Sequence, residues 1–149
     1  MNIDPLTIDF VRDLILRKET TATALTEEFY KKIESEDSKI HAFLTLSKDR
    51  AFAKATEIDG MADRGEELPP MAGVPVGIKD VFMTRGIQTT AGSRILEDFV
   101  APYDSTAVAR LESANRASLL RWRTDCERSR TSGSAIFVHH ITATRRFTR

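Results

Sequence analysis

At 149 residues and 16.7 kDa the chain has room for one domain and hardly for two. With 41% hydrophobic and 30% charged residues it reads as neither a disordered tail nor a membrane protein. No apolar run approaches the roughly 20 residues that span a bilayer, and the N-terminal MNIDPLTIDF is acidic where an export signal is basic and then apolar.

The single cysteine, Cys126, excludes an intrachain disulfide framework and suits a reducing compartment, the cytosol. Lys+Arg 22 against Asp+Glu 22 cancels overall, yet the two ends differ. Residues 1–114 carry 14 basic and 20 acidic side chains, whereas residues 115–149 carry 8 basic and 2 acidic ones. Every basic residue after Asn115 is an arginine. Residue usage therefore divides the chain into 1–114 and an Arg-rich 115–149.

In Leu6 to Lys18, Ile8, Val11, Leu14, Ile15 and Leu16 recur at near-helical spacing. Thr20 and Thr21 are N-cap candidates for a second helix through about Glu36, with Ala22, Leu25, Phe29, Tyr30 and Ile33 as its stripe. Glu27, Glu28, Lys31 and Lys32 put opposite charges at i,i+4 on its other side. His41 to Leu46 reads as a short strand. A third helix follows from about Lys48 to Arg64, with Ala51, Ala53, Ala55, Ile58 and Ala62 as a small-residue face, and Gly65 and Leu68-Pro69-Pro70 stop it.

Val74, Val76, Ile78, Val81 and Phe82 are strand formers, and Pro75 within the run favours an edge strand or a strand that begins at Val76. Lys79 stands near the end of this run. A lysine behind a hydrophobic strand has its ammonium partly desolvated, which favours the neutral form, and a neutral lysine can serve as a general base. The alternative is an exposed edge lysine beside Asp80. Gly86 to Ser93 matches neither nucleotide-binding glycine fingerprint. Ser93 caps a short helix, Arg94 to Asp98, and Asp104 or Ser105 caps another through about Ser113, whose apolar side is Thr106, Ala107, Val108 and Leu111. Strand, loop and helix in this order suggest half of an α/β layer.

The run Gly73-Val74-Pro75-Val76-Gly77-Ile78-Lys79-Asp80, then Thr84-Arg85-Gly86-Ile87-Gln88-Thr89-Thr90, then Pro102-Tyr103-Asp104-Ser105-Thr106, resembles the start of the amidase-signature catalytic domain. The likeness covers about residues 5–114, and the later motifs resemble the A-subunit branch of the glutamyl-tRNA(Gln)/aspartyl-tRNA(Asn) amidotransferases. The resemblance implies an α/β/α sandwich around a mixed sheet and a Ser–cis-Ser–Lys relay in which Lys79 matches the lysine. Neutral lysine takes a proton from the bridging serine, which activates the nucleophilic serine toward the carboxamide of glutamine. Such complexes also hold subunits B and C. The ammonia passes to the first of these, which uses ATP and Mg²⁺ to activate misacylated tRNA, while the second wraps the A–B interface. The resemblance implies no cofactor on this chain, and contact with tRNA only through the complex.

The serines of the relay are expected beyond Arg149, so of the catalytic trio only Lys79 is matched. After Ala114 the family pattern of a glycine-alanine turn, a strand and a G-K-T-N segment is replaced by the Arg-rich stretch, with Ser118-Leu119-Leu120 standing where the strand belongs. Arginine without lysine, with Ser and Thr filler, reads as a frameshifted gene or as a drifted C-terminus. A sheet cut after its first strands is expected to leave an unpaired edge and an aggregation-prone chain.

The tail offers little else. Its arginines follow neither a helix face nor a strand, although with Trp122 and Phe147 they carry a third reading, a small RNA-associated binding protein. His139, His140 and Cys126 make a poor zinc set, and His41 stands far from all of them. Cys126 has no identifiable base, and Ser132 and Ser134 lack the glycines that flank the relay's serines. The readings therefore order as an N-terminal part of an amidotransferase A subunit without activity of its own, the same part of a generic amidase acting on small carboxamides, and the binding protein.

Overall fold

The computed structural model describes residues 6–115 and 119–122. Helix α1 spans Ile8–Leu16 and α2 spans Ala22–Ile40. Thr7 Oγ1 accepts the Phe10 amide at 3.3 Å, and Thr21 Oγ1 accepts the Ala24 amide at 3.0 Å. Of the two candidate caps, Thr21 fills the role. Helix α2 runs to Ile40 rather than Glu36, because nothing between them breaks a helix. It ends where His41 turns left-handed at φ 51° and Asp37 Oδ1 takes the Ala42 amide at 2.6 Å.

Strand β1 is Phe43–Leu46 and helix α3 is Lys48–Asp63. Two helices close in the same manner. After α1, Lys18 (φ 59°) bonds back to the Ile15 carbonyl and Glu19 to that of Leu14; after α3, Gly65 (φ 68°) bonds to Ala62 and Glu66 to Met61. Lys18 holds a conformation usually left to glycine, and its ammonium lies 3.1 Å from Asp63 of α3.

The first core joins these three helices to the loop beyond them. Val11 and Ile15 of α1, Ala22 and Leu25 of α2, and Ala55 and Ile58 of α3 close on Leu68, Ala72 and Val74. The expected stripes are present with two exceptions: Leu16 is 48% exposed, and Ala53 of α3 faces solvent. A straight 3.6-residue period from Ala51 passes through Ala55 and Ile58 and leaves Ala53 about 200° around the helix. Gly73, at φ +74°, lies so close to α1 that a Cβ there would stand 2.4 Å from Ile15 Cδ1.

A second cluster holds Tyr30 and Ile33 against Ala51, with Phe43 and Phe52 beside them. The Tyr30 ring stacks on Phe52 at 5.9 Å, and its hydroxyl is buried with no hydrogen-bond partner among the described residues. Burial, aided by the Asp49 carboxylate, pushes the phenol from 10.0 up to about 12. Between those values the unfolded chain loses a proton that the native chain keeps. The stabilisation is whole below pH 10 and is lost as pH rises through about 12. Tyr30→Phe should therefore be at least as stable as the parent at pH 7 and less sensitive to pH between 10 and 12, as read by urea midpoints. A loss of more than about 1 kcal/mol at pH 7 would show that the hydroxyl is bonded.

Strand β2 is Val76–Lys79, starting after Pro75 as the sequence suggested. A single 3₁₀ turn follows at Arg94–Leu96, capped by Ser93, and helix α4 is Thr106–Asn115. Val81 and Phe82 do not extend β2. They lie in the turn after it, 46% and 42% exposed, because the Phe82 amide bonds back to the Lys79 carbonyl and reverses the chain. In α4, Val108 is buried against Ile78 with Leu111 alongside, whereas Thr106 and Ala107 face solvent.

Strand β3, Leu119–Trp122, lies between the other two, giving the order β1-β3-β2. It runs antiparallel to β1 and parallel to β2, with Val76 opposite Leu119 and Lys79 opposite Trp122. The sheet is thus mixed, and β2–α4–β3 is a parallel crossover unit. Its middle strand comes from beyond Ala114, at the position expected from Ser118-Leu119-Leu120. Arg50 of α3 joins the layers through an ion pair with Glu112 of α4 and a 3.3 Å bond to the Arg85 carbonyl. Among the described residues no helix is long and apolar enough to cross a membrane.

Candidate active site

Strand β2 alternates its faces. Ile78 is 4% exposed and Asp80 0%, while Gly77 and Lys79 face the opposite way and are open. Lys79 thus ends the strand on the accessible face of the sheet, and among the described residues its ammonium has no hydrogen-bond partner. The neighbouring Asp80 points inward. Of the two sequence readings, exposure matches the edge lysine, but Asp80 is tied elsewhere.

Asp80 is held by the second half of the threonine-rich motif. The Thr90 amide donates to Asp80 Oδ1 at 3.0 Å, the Thr90 hydroxyl donates to Oδ2, and the Ala91 amide donates to the Asp80 carbonyl at 3.2 Å. The same hydroxyl oxygen accepts the Gly92 amide at 3.2 Å. Ala91 and Gly92 are both left-handed, at φ 49° and 73°.

The rest of the loop closes on itself. The Gly86 amide bonds to the Ala101 carbonyl at 2.8 Å, Thr89 to Phe99 at 2.9 Å, and Gln88 bridges to Val100. Asp104 Oδ1 accepts the Arg85 amide at 2.7 Å, and Ser105 caps α4 through the Val108 amide at 3.4 Å. The motif residues thus have separate tasks: Gly86 turns at φ 74°, Thr84 and Thr89 are buried, and Thr90 binds Asp80.

Sequence reasoning singled out Lys79 and gave Asp80 no task of its own. The signal for Asp80 was present in the alternation of β2, which sends the residue after Lys79 inward, and in a threonine pair ten residues later able to satisfy a carboxylate. His41, the other candidate in the described part, is exposed at the end of α2. Among the described residues no three His, Cys, Asp or Glu side chains gather to hold a metal. Cys126, Ser132, Ser134, His139 and His140 lie outside the described residues.

A solved protein from a vestigial complex that bears on the origin of an s-triazine catabolic enzyme superposes with a TM-score of 0.74 at 36% identity, over 78% of this chain and 26% of its own. A bacterial aryl acylamidase of the amidase-signature family shares the fold with a TM-score of 0.74 at 24% identity, over 82% of this chain and 26% of its own. Residues 6–115 and 119–122 therefore adopt the N-terminal part of the amidase-signature α/β fold, with its mixed sheet. The family model described as amidase matches residues 24–121, from α2 into β3, and the chain belongs to that family. Among curated proteins, the A subunit of the glutamyl-tRNA(Gln) amidotransferase of Koribacter versatilis is 55% identical over 127 residues, which is 85% of this chain and 26% of the relative. The chain thus spans about a quarter of that relative's length, and the likeness is longer than the 5–114 stretch traced by motifs.

Proposed function

We propose that these residues form the N-terminal part of the A subunit of a tRNA-dependent amidotransferase and supply the lysine of its glutaminase site. The observation that carries this reading is the 55% identity to such a protein, together with a lysine at the end of β2 inside the motif that marks the family. Ammonia released from glutamine would serve the conversion of Glu-tRNA(Gln) to Gln-tRNA(Gln), or of Asp-tRNA(Asn) to Asn-tRNA(Asn), in the cytoplasm.

In this reading Lys79, in its neutral form, accepts a proton from a bridging serine. That serine takes one in turn from the nucleophilic serine as its oxygen attacks the carboxamide carbon. Ammonia leaves, and water then releases glutamate from the acyl-enzyme. The end of a β-strand suits the lysine's part, since paired backbone limits the directions in which its side chain projects. ATP and Mg²⁺ belong to the later step on the partner that receives the ammonia, and no side chain described in this chain is assigned to them.

The family resemblance puts both serines after the segment that this chain matches. The 149-residue chain is therefore expected to release no ammonia from glutamine, alone or with subunits B and C. The check is a coupled glutaminase assay of the chain beside Lys79→Ala. Turnover that disappears with the substitution would overturn this part of the reading and require a nucleophile within the chain itself. In a chimera carrying this chain's residues in place of the first quarter of the Koribacter relative, ammonia release from glutamine with transfer to tRNA supports the amidotransferase role. Hydrolysis of small carboxamides without transfer to tRNA would favour the generic amidase.

A further inference from the structure

We propose that Asp80 is a positioning residue for Lys79: its buried carboxylate fastens the Thr90 turn to the end of β2 and so fixes the backbone from which the lysine projects. The proposal rests on the reading of Lys79 as the base and adds the group that holds it in place.

Among the described residues, strand pairing secures Lys79 on one side. Its backbone is in register with Trp122 of β3, but β2 ends at Lys79, and a strand end without further support frays. Support on the other side comes from Asp80 and what it binds. The Phe82 amide bonds to Lys79's own carbonyl at 3.0 Å, and the Ala91 amide bonds to that of Asp80 at 3.2 Å. The Ala91 bond depends directly on the turn at residues 89–92 staying against the strand, and the Phe82 bond closes the turn in which Asp80 itself stands.

The turn has bonds of its own, the Ser93 amide to the Thr90 carbonyl at 2.8 Å and the Thr89 amide to the Phe99 carbonyl at 2.9 Å, and Asp80 ties it to the end of β2. Ala91 is left-handed at φ 49°, a conformation that costs a residue with a Cβ about 1–2 kcal/mol and persists only where the surroundings impose it. Asp80 is part of those surroundings, accepting both the amide and the hydroxyl of Thr90 on a side chain that is 0% exposed. An ionised carboxylate accepts and never donates, which matches two donors from one threonine. A buried carboxylate is costly to keep, so its presence one residue from the lysine calls for a task, and its two bonds to Thr90 tie it to this turn.

The first test uses the full 149-residue chain. Amide hydrogen exchange should show Phe82, Thr90 and Ala91 losing at least about tenfold protection in Asp80→Ala and in Thr90→Val, while α2 and α3 keep theirs. Thr90→Ser, which retains the hydroxyl, should restore most of it. Unchanged exchange at Phe82 and Ala91 in Asp80→Ala would overturn the proposal.

The second test reads catalysis in the chimera, by kcat and KM for glutamine. Asp80→Ala should lower kcat about 10- to 100-fold with KM nearly unchanged, and Asp80→Asn, which keeps an oxygen for the Thr90 amide, should recover part of the loss. Wild-type kcat in Asp80→Ala, beside an inactive Lys79→Ala, would overturn the positioning role alone. Full activity in Lys79→Ala would instead overturn the reading of Lys79 as base on which it rests. Where Asp80→Ala does not fold in the chimera, Thr90→Val and the exchange data decide.

Discussion

Lys79→Ala in the chimera is expected to lower ammonia release from glutamine by about 10²- to 10⁴-fold, and by more if lysine and serines act as one unit. The loss follows from the proton path. Without a base the bridging serine keeps its proton, and the nucleophilic hydroxyl stays a weak attacker at neutral pH. Lys79→Arg should fail nearly as badly, because a guanidinium does not give up its proton in a protein and offers no lone pair to the serine. In the 149-residue chain neither change should disturb folding much. Lys79 is exposed and has no hydrogen-bond partner among the described residues, so its truncation belongs with surface substitutions, within about 0.5 kcal/mol. Activity lost while the urea midpoint holds would separate chemistry from stability. Activity retained would remove Lys79 from the mechanism.

The largest effect on stability is expected at Asp59, a residue that no sequence motif marks. From near the C-terminal end of α3 its Oδ1 accepts the Ala22 amide at 2.6 Å, and its Oδ2 accepts the Thr23 amide at 3.1 Å and the Thr23 hydroxyl at 2.6 Å. These are first-turn donors of α2, which have no partner within their own helix. Thr21 serves only the next one, Ala24. Ala22 is 0% exposed, so an amide abandoned there has poor access to water. Asp59→Ala should cost about 2–4 kcal/mol, from two unsatisfied amides and the loss of a negative charge at a helix N-terminus. Such a loss is a large share of the roughly 5–15 kcal/mol that holds a domain together. Asp59→Asn keeps one acceptor oxygen and should fall between the two. Urea unfolding followed by circular dichroism checks the order, and a change below about 0.5 kcal/mol for the alanine variant would contradict it.

Local chemistry was legible wherever the cause is local. The helices could be read because apolar residues recur with the turn of the helix and threonines precede α2. Pro75 announced the start of β2, since a residue without an amide hydrogen cannot sit freely inside a ladder. Lys79 was legible through the residues around it in the chain, as part of a motif whose members are neighbours in sequence. Val81 and Phe82 were misread because their strand propensity is real but is outweighed by the turn that the Phe82 amide makes on the Lys79 carbonyl.

What only the tertiary structure decided is who satisfies whom across long stretches of chain. Asp59 serves α2 from 36 and 37 residues away, a partnership of which composition and periodicity carry no trace; the alternation of β2 sends Asp80 inward, but only the folded loop brings Thr90 to it across ten residues. The middle strand of the sheet is the clearest instance. Residues 119–122 follow a break in residue usage, yet they lie between β1 and β2 and pair with both. A four-residue segment has little propensity of its own. Its place is set by the two edges it satisfies and by the helix that carries the chain across, and these exist only once the rest has folded.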